Sequence, residues 1–186
     1  SKSTYRKKPY KKNLFIFSTV FGFGFYLSGI HWITNSLTFD ENFKILIPFG
    51  LILIPLFLSL FFSITTLIIG PFLNLNFQSI LLFSGGLAFA DFLRAKILSG
   101  FPWNLWAYSL SWATEFLQIL NKIGLFAFNT LIITLFILPA FLFFKIRYRR
   151  KLFYLFILLF VIFSFYIYGS HSINQNKTKI NLQKEK

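Results

Sequence analysis

Apolar windows of roughly 20 residues recur from near the first residue almost to the last, and this repetition restricts the chain more than any other feature. A helix needs roughly 20 residues to cross the ~30 Å hydrocarbon core of a bilayer. Windows of that length run from 14 to 34, 43 to 70, 77 to 98, 123 to 144 and 152 to 168. A secretory signal would give one short apolar stretch and then stop. Composition agrees, because 56% of the 186 residues are hydrophobic and only 13% are charged, against about 25% charged in a soluble domain. The expectation is an all-α, multi-span transmembrane helical bundle of about five spanning helices. Pro48 and Pro55 fall inside the second window, where proline in a membrane helix marks a kink packed against neighbours. The stretch 99–122 is too polar and broken to count as a span.

Charge placement sets the expected orientation, since short cytoplasmic loops are enriched in Lys and Arg. Lys2, Arg6, Lys7, Lys8, Lys11 and Lys12 precede the first window. Lys145, Arg147, Arg149, Arg150 and Lys151 separate the fourth from the fifth. With five spans both clusters fall on one side. Three parts follow: a basic cytoplasmic segment 1–12, a transmembrane helical domain 13–169 and a polar extracytoplasmic tail 170–186. The loop 36–42 and the stretch 99–122 then lie outside the cytoplasm. The net charge of +14 flanks hydrophobic spans instead of lining a soluble face, so nucleic acid is not an expected partner. Attraction to anionic headgroups accounts for the clusters.

Cysteine is absent, which rules out disulfides, thiolate metal sites and a cysteine nucleophile within these residues. Methionine is absent too, even at position 1, pointing to a fragment or processed piece. His31 and His171 have no acidic or thiol neighbours in sequence, so neither a metal site nor a cofactor is expected. Glycines 22, 24, 85 and 86 sit inside spans, where small residues let helices approach closely. Asn176-Lys177-Thr178 matches a glycosylation sequon, a match common by chance.

The chemically informative string runs from Gly85 to Ser109. Asp91 and Arg94 lie three apart, so on a helix they share a face and can pair. Ionisable groups at membrane depth are costly and point to function. Near a helix end the same residues can instead snorkel to the interface as anchors. Gly100-Phe101-Pro102-Trp103 follows, and its proline ends the helix and restricts the residue before it. Trp103, Trp106, Tyr108 and Trp112, taken singly, read as an interfacial aromatic belt.

Taken as one string, Asp91, then Phe92-Leu93-Arg94, then Gly100-Phe101-Pro102-Trp103, then Tyr108-Ser109 resembles the membrane domain of bacterial apolipoprotein N-acyltransferases. Phe21-Gly22-Phe23-Gly24-Phe25, Gly29 and Trp32 are similar to that family's upstream glycine-rich helix. Ile123-Gly124 with Asn129 is similar to its downstream helix, and the window ending at Tyr168-Gly169 to its last one. The resemblance implies a membrane bundle joined to an extracytoplasmic nitrilase-like domain in the bacterial inner membrane. It implies transfer of an acyl chain from phospholipid to the N-terminal amine of a diacylglyceryl-cysteine lipoprotein, through a thioester on a Glu-Lys-Cys triad. The expected partners are membrane phospholipid, the lipidated lipoprotein N-terminus and the chain's own nitrilase-like domain. No catalytic residue carries over, because the chain has no cysteine and stops shortly after Gly169. Two further N-terminal spans are expected before Ser1, and the isolated fragment is expected to be inactive.

The resemblance implies a supporting role instead. Gly100, Phe101, Pro102, Trp103 and Tyr108 are expected to form an outer-face loop that guides lipid, with Arg94 meeting a phosphate and Asp91 orienting Arg94. A membrane scaffold and a small transporter module are the alternatives. A transporter would line several helices with polar residues, and the second and fifth windows offer almost none.

Overall fold

A computed structural model describes residues 10–97, 100, 102–143 and 147–184. All regular structure among them is helical, with no strand. The chain runs through α1 (Tyr10–Ile30), a 3-10 helix at His31–Thr38, another at Glu41–Leu46, α2 (Ile47–Ile69) and α3 (Phe77–Arg94). After a 3-10 turn at Trp106–Leu110 come α4 (Thr114–Leu117), α5 (Leu120–Ile123), α6 (Leu125–Ile137), a 3-10 segment at Leu138–Phe143 and α7 (Tyr148–Lys184). Among the described residues, 3 stretches are long and apolar enough to cross a membrane: Tyr10–Thr38, Glu41–Phe72 and Tyr148–Lys177. Leu125–Ala140 is a shorter apolar helix, and α3 has 18 residues. The all-α membrane bundle is therefore the fold. Of the two basic clusters, Lys2, Arg6, Lys7, Lys8 and Lys145 lie outside the described residues.

Packing divides the chain into two units, Ser1–Asn74 with Leu81–Asn104, and Leu75–Ile80 with Leu105–Lys186. In the first unit α1 and α2 share the most extensive helix contact. Small residues make it close: a Cβ at Gly22 would stand 3.1 Å from Ser59 Cβ. Hydroxyls join the two helices at the same seam. Thr66 Oγ1 donates to Ser18 Oγ at 2.7 Å, and Thr19 Oγ1 lies 2.7 Å from Ser63 Oγ. Lipid offers these groups no water; Thr19, Ser63 and Thr66 also bond carbonyls one turn back on their own helices, and the contacts across the seam add to that. Pro55 is buried inside α2 without ending it, and Pro48 sits in the first turn, where its missing N–H has no intrahelical partner to lose. α3 meets α2 at Gly86, where a Cβ would stand 3.1 Å from Ile69 Cδ1.

In the second unit the core is Leu105, Ala107, Ile119, Phe128 and Ile132. Asn129 is fully buried in α6, and its Oδ1 accepts from Ala107 N–H at 2.9 Å, fixing the 3-10 turn on the helix. Among its described residues the stretch 99–122 contains only short helical pieces. α7 does not stop at Tyr168, as the hydropathy window does, but runs on to Lys184. No proline or glycine follows Gly169 to break it. Gly169 lets α7 press on α4, because a Cβ there would overlap the Glu115 carbonyl.

Candidate functional site

Ser84, Leu87, Ala88, Asp91 and Arg94 recur at helical spacing on α3, and all are buried. The stripe thus carries an ion pair into the first unit. Asp91 is 6% and Arg94 2% exposed. Arg94 Nη2 donates to Asp91 Oδ1 at 3.0 Å, and Nη1 donates to the Trp103 carbonyl at 2.8 Å. The guanidinium lies over the Tyr26 ring of α1, 5.2 Å from its centroid, within cation–π range. A buried charge needs pairing and bonding together, and this set supplies both. The planar fork explains arginine here, since two donors leave it in different directions toward two acceptors.

The chain leaves α3 through turns that bond Ala95 N–H to Asp91 O and Ile97 N–H to Leu93 O. Gly100 then adopts φ +79, and a Cβ there would lie 2.6 Å from the Ala95 carbonyl, so only glycine turns at this point without strain. Pro102 is exposed. Trp103 is 53% exposed, and its ring meets Trp32 edge-on at 5.8 Å. Trp32 is 47% exposed, and its indole N–H donates to the Gly29 carbonyl at 3.1 Å. Asn104 closes the segment in the left-handed region at φ 57, and its Nδ2 donates to the Phe25 carbonyl of α1 at 3.2 Å.

The structure therefore brings Asp91, Arg94, Gly100 and Trp103 together, with Arg94 gripping the loop backbone. Phe101 lies outside the described residues. Tyr108, 42% exposed, belongs to the second unit, on the turn held by Asn129. Three participants escaped the sequence reading in these roles: Tyr26, Trp32 and Asn104. The available signals were the aromatics of α1 and of the 3-10 helix after it, and an asparagine after the tryptophan, a residue type that tolerates positive φ. His31 Nδ1 contacts the Ser28 carbonyl at 3.0 Å, and no acidic, thiol or imidazole cluster able to hold a metal occurs among the described residues.

A helical membrane module whose buried ion pair latches an exposed aromatic loop is the class that this geometry defines. Residues 3–138 match the family described as apolipoprotein N-acyltransferase N-terminal domain, and the chain belongs to that family. It is similar to the apolipoprotein N-acyltransferase of Brucella melitensis, 35% identical over 123 residues, which is 66% of this chain and 23% of that protein. The Rhodopseudomonas palustris enzyme of the same name is 30% identical over 125 residues, 64% of this chain and 23% of the relative. That of Rickettsia bellii is 32% identical over 115 residues, 61% and 23% respectively. The match thus spans about a quarter of the length of the curated relatives. No solved structure matches the chain.

Proposed function

We propose that this chain is the lipid-guiding part of an apolipoprotein N-acyltransferase membrane domain. In the complete protein an acyl chain passes from phospholipid to the N-terminal amine of a diacylglyceryl-cysteine lipoprotein. The thioester step needs a thiol, and none of the 186 residues is cysteine, so catalysis belongs to a nitrilase-like domain elsewhere in the protein. The bundle sits in the bacterial inner membrane with the N-terminus cytoplasmic, the Gly100–Asn104 loop and the C-terminal tail periplasmic, and phospholipid and lipoprotein as partners.

The observation that carries this reading is the Arg94 grip on the Trp103 carbonyl, which fixes the backbone of an otherwise exposed aromatic loop. A belt tryptophan needs no such hold, because it is stabilised merely by residing at the interface. In place of the phosphate contact expected from the sequence, Arg94 serves here as a positioning group, because it is buried with both terminal nitrogens engaged within the protein, and Trp103 and Pro102 present the surface that lipid meets. The transporter alternative finds less support: the Ser63 and Thr66 hydroxyls of α2 meet those of Thr19 and Ser18 on α1, and the cavity of about 220 Å³ beside α6 and α7 has essentially apolar walls.

The test is made in a complete parent protein that includes the nitrilase-like domain. Trp103→Tyr and Trp103→Ala should both lose most N-acylation of a diacylated lipopeptide, with expression and membrane insertion unchanged. Misplacement of reacting groups by about 1 Å costs on the order of 100-fold in rate. Near-normal transfer by Trp103→Tyr would favour simple anchorage.

A further inference from the structure

Gly29 is a node between the loop and α1. Its missing Cβ makes room for the Asn104 amide, which a side chain there would overlap. Its carbonyl accepts the Trp32 indole N–H at 3.1 Å. The amide it admits reaches the Phe25 carbonyl, which also accepts from Ser28 Oγ at 3.0 Å. Asn104 is the one non-glycine residue with positive φ among those described, and it holds that conformation next to the carbonyl that Arg94 grips. The Trp103–Asn104 segment is thus held from two helices, by Arg94 of α3 on its backbone and by the Phe25 carbonyl of α1 on the Asn104 side chain. Asparagine tolerates the left-handed region, and here its side chain also reaches across to α1.

We infer that Asn104 and Gly29 form a lock that holds Trp103 edge-on to Trp32, so that the tryptophan pair, and not Trp103 alone, is the surface at which this unit meets phospholipid. The inference rests on the lipid-guiding reading above. Trp32 becomes a second lipid-contacting residue, and Asn104 a positioning residue acting through Trp103. Both rings are about half exposed, and an edge-to-face pair is a rigid apolar step with little side-chain entropy left to lose.

The test uses the chain in phosphatidylcholine vesicles with Trp106→Phe and Trp112→Phe. Because the chain has 4 Trp, only Trp32 and Trp103 then emit. Phosphatidylcholine brominated near the headgroup end of its acyl chains is the quencher. Both tryptophans should be quenched in the parent. Asn104→Asp keeps the size of the side chain but replaces its donating amide by an acceptor-only carboxylate. Asn104→Gly keeps the positive φ and loses the amide. Both variants should lose the Trp103 share of the quenching while Trp32, still bonded to the Gly29 carbonyl, keeps its own, and quenching equal to the parent in both would overturn the lock.

A cysteine pair guards against misfolding as the cause, since the chain has no other thiol. Gly29→Cys with Asn104→Cys should oxidise to a disulfide, restoring quenching that the reduced pair lacks. Failure to form the bond would overturn the close approach itself. N-acylation by the same variants in the complete protein separates the two ideas. Quenching lost with transfer intact removes the lipid-guiding reading and leaves the lock, whereas unchanged quenching removes the lock alone.

Discussion

Gly100 shows how much one residue decides here. Its φ of +79 turns the chain out of α3, and a methyl group would press on the Ala95 carbonyl at 2.6 Å. Gly100→Ala should destabilise the folded chain by about 1–3 kcal/mol, the usual cost of a non-glycine residue forced into such a conformation. Reversible denaturation in micelles measures this, and an unchanged midpoint would mean that the turn is not as described. Sequence spacing made part of this site legible. Asp91 and Arg94 share a face because they lie three apart, and the glycine and proline after them mark a stop. Asn104 and Tyr26 were not legible as partners of that loop, since the bond from Asn104 to Phe25 joins residues 79 apart in the chain. Only the fold, which brings the segment after α3 against α1, creates it.

Apolar windows located the long helices, but their contacts depend on which residues are small. Gly22 and Gly24 look alike in sequence, yet Gly22 faces Ser59 while a Cβ on Gly24 meets nothing within 4 Å. Gly22→Leu should therefore separate α1 from α2 and lower stability by about 1–3 kcal/mol, by overpacking the seam. Gly24→Ala should be neutral or slightly stabilising, through better helix propensity. Equal effects in the same unfolding assay would contradict the described α1–α2 register. The hydroxyl stripe Ser59, Ser63 and Thr66 stands at helical spacing in a window read as offering almost no polar residues, because its apolar average concealed it. The extent of α7 was hidden for the opposite reason: hydropathy falls after Tyr168, but hydrogen bonding continues in a polar helix as readily as in an apolar one.

Across the whole molecule, the lipid-guiding account needs the loop and the tail on one face of the membrane and the basic stretch before α7 on the other. A cysteine-accessibility or enzyme-fusion reporter at Arg147 should read cytoplasmic, and one beyond Lys184 should read periplasmic. Both reporting from one compartment would refute the proposed topology and with it the placing of the loop outside. The central claim is that Arg94 acts through the backbone of Trp103, and Arg94→Lys in the complete protein tests it most directly. Lysine keeps the charge beside Asp91 but has no planar fork to hold the carboxylate and the Trp103 carbonyl in fixed geometry. The account predicts that acyl transfer to a diacylated lipopeptide falls by on the order of 100-fold while expression and insertion stay normal. Transfer at the parent rate by Arg94→Lys would contradict it.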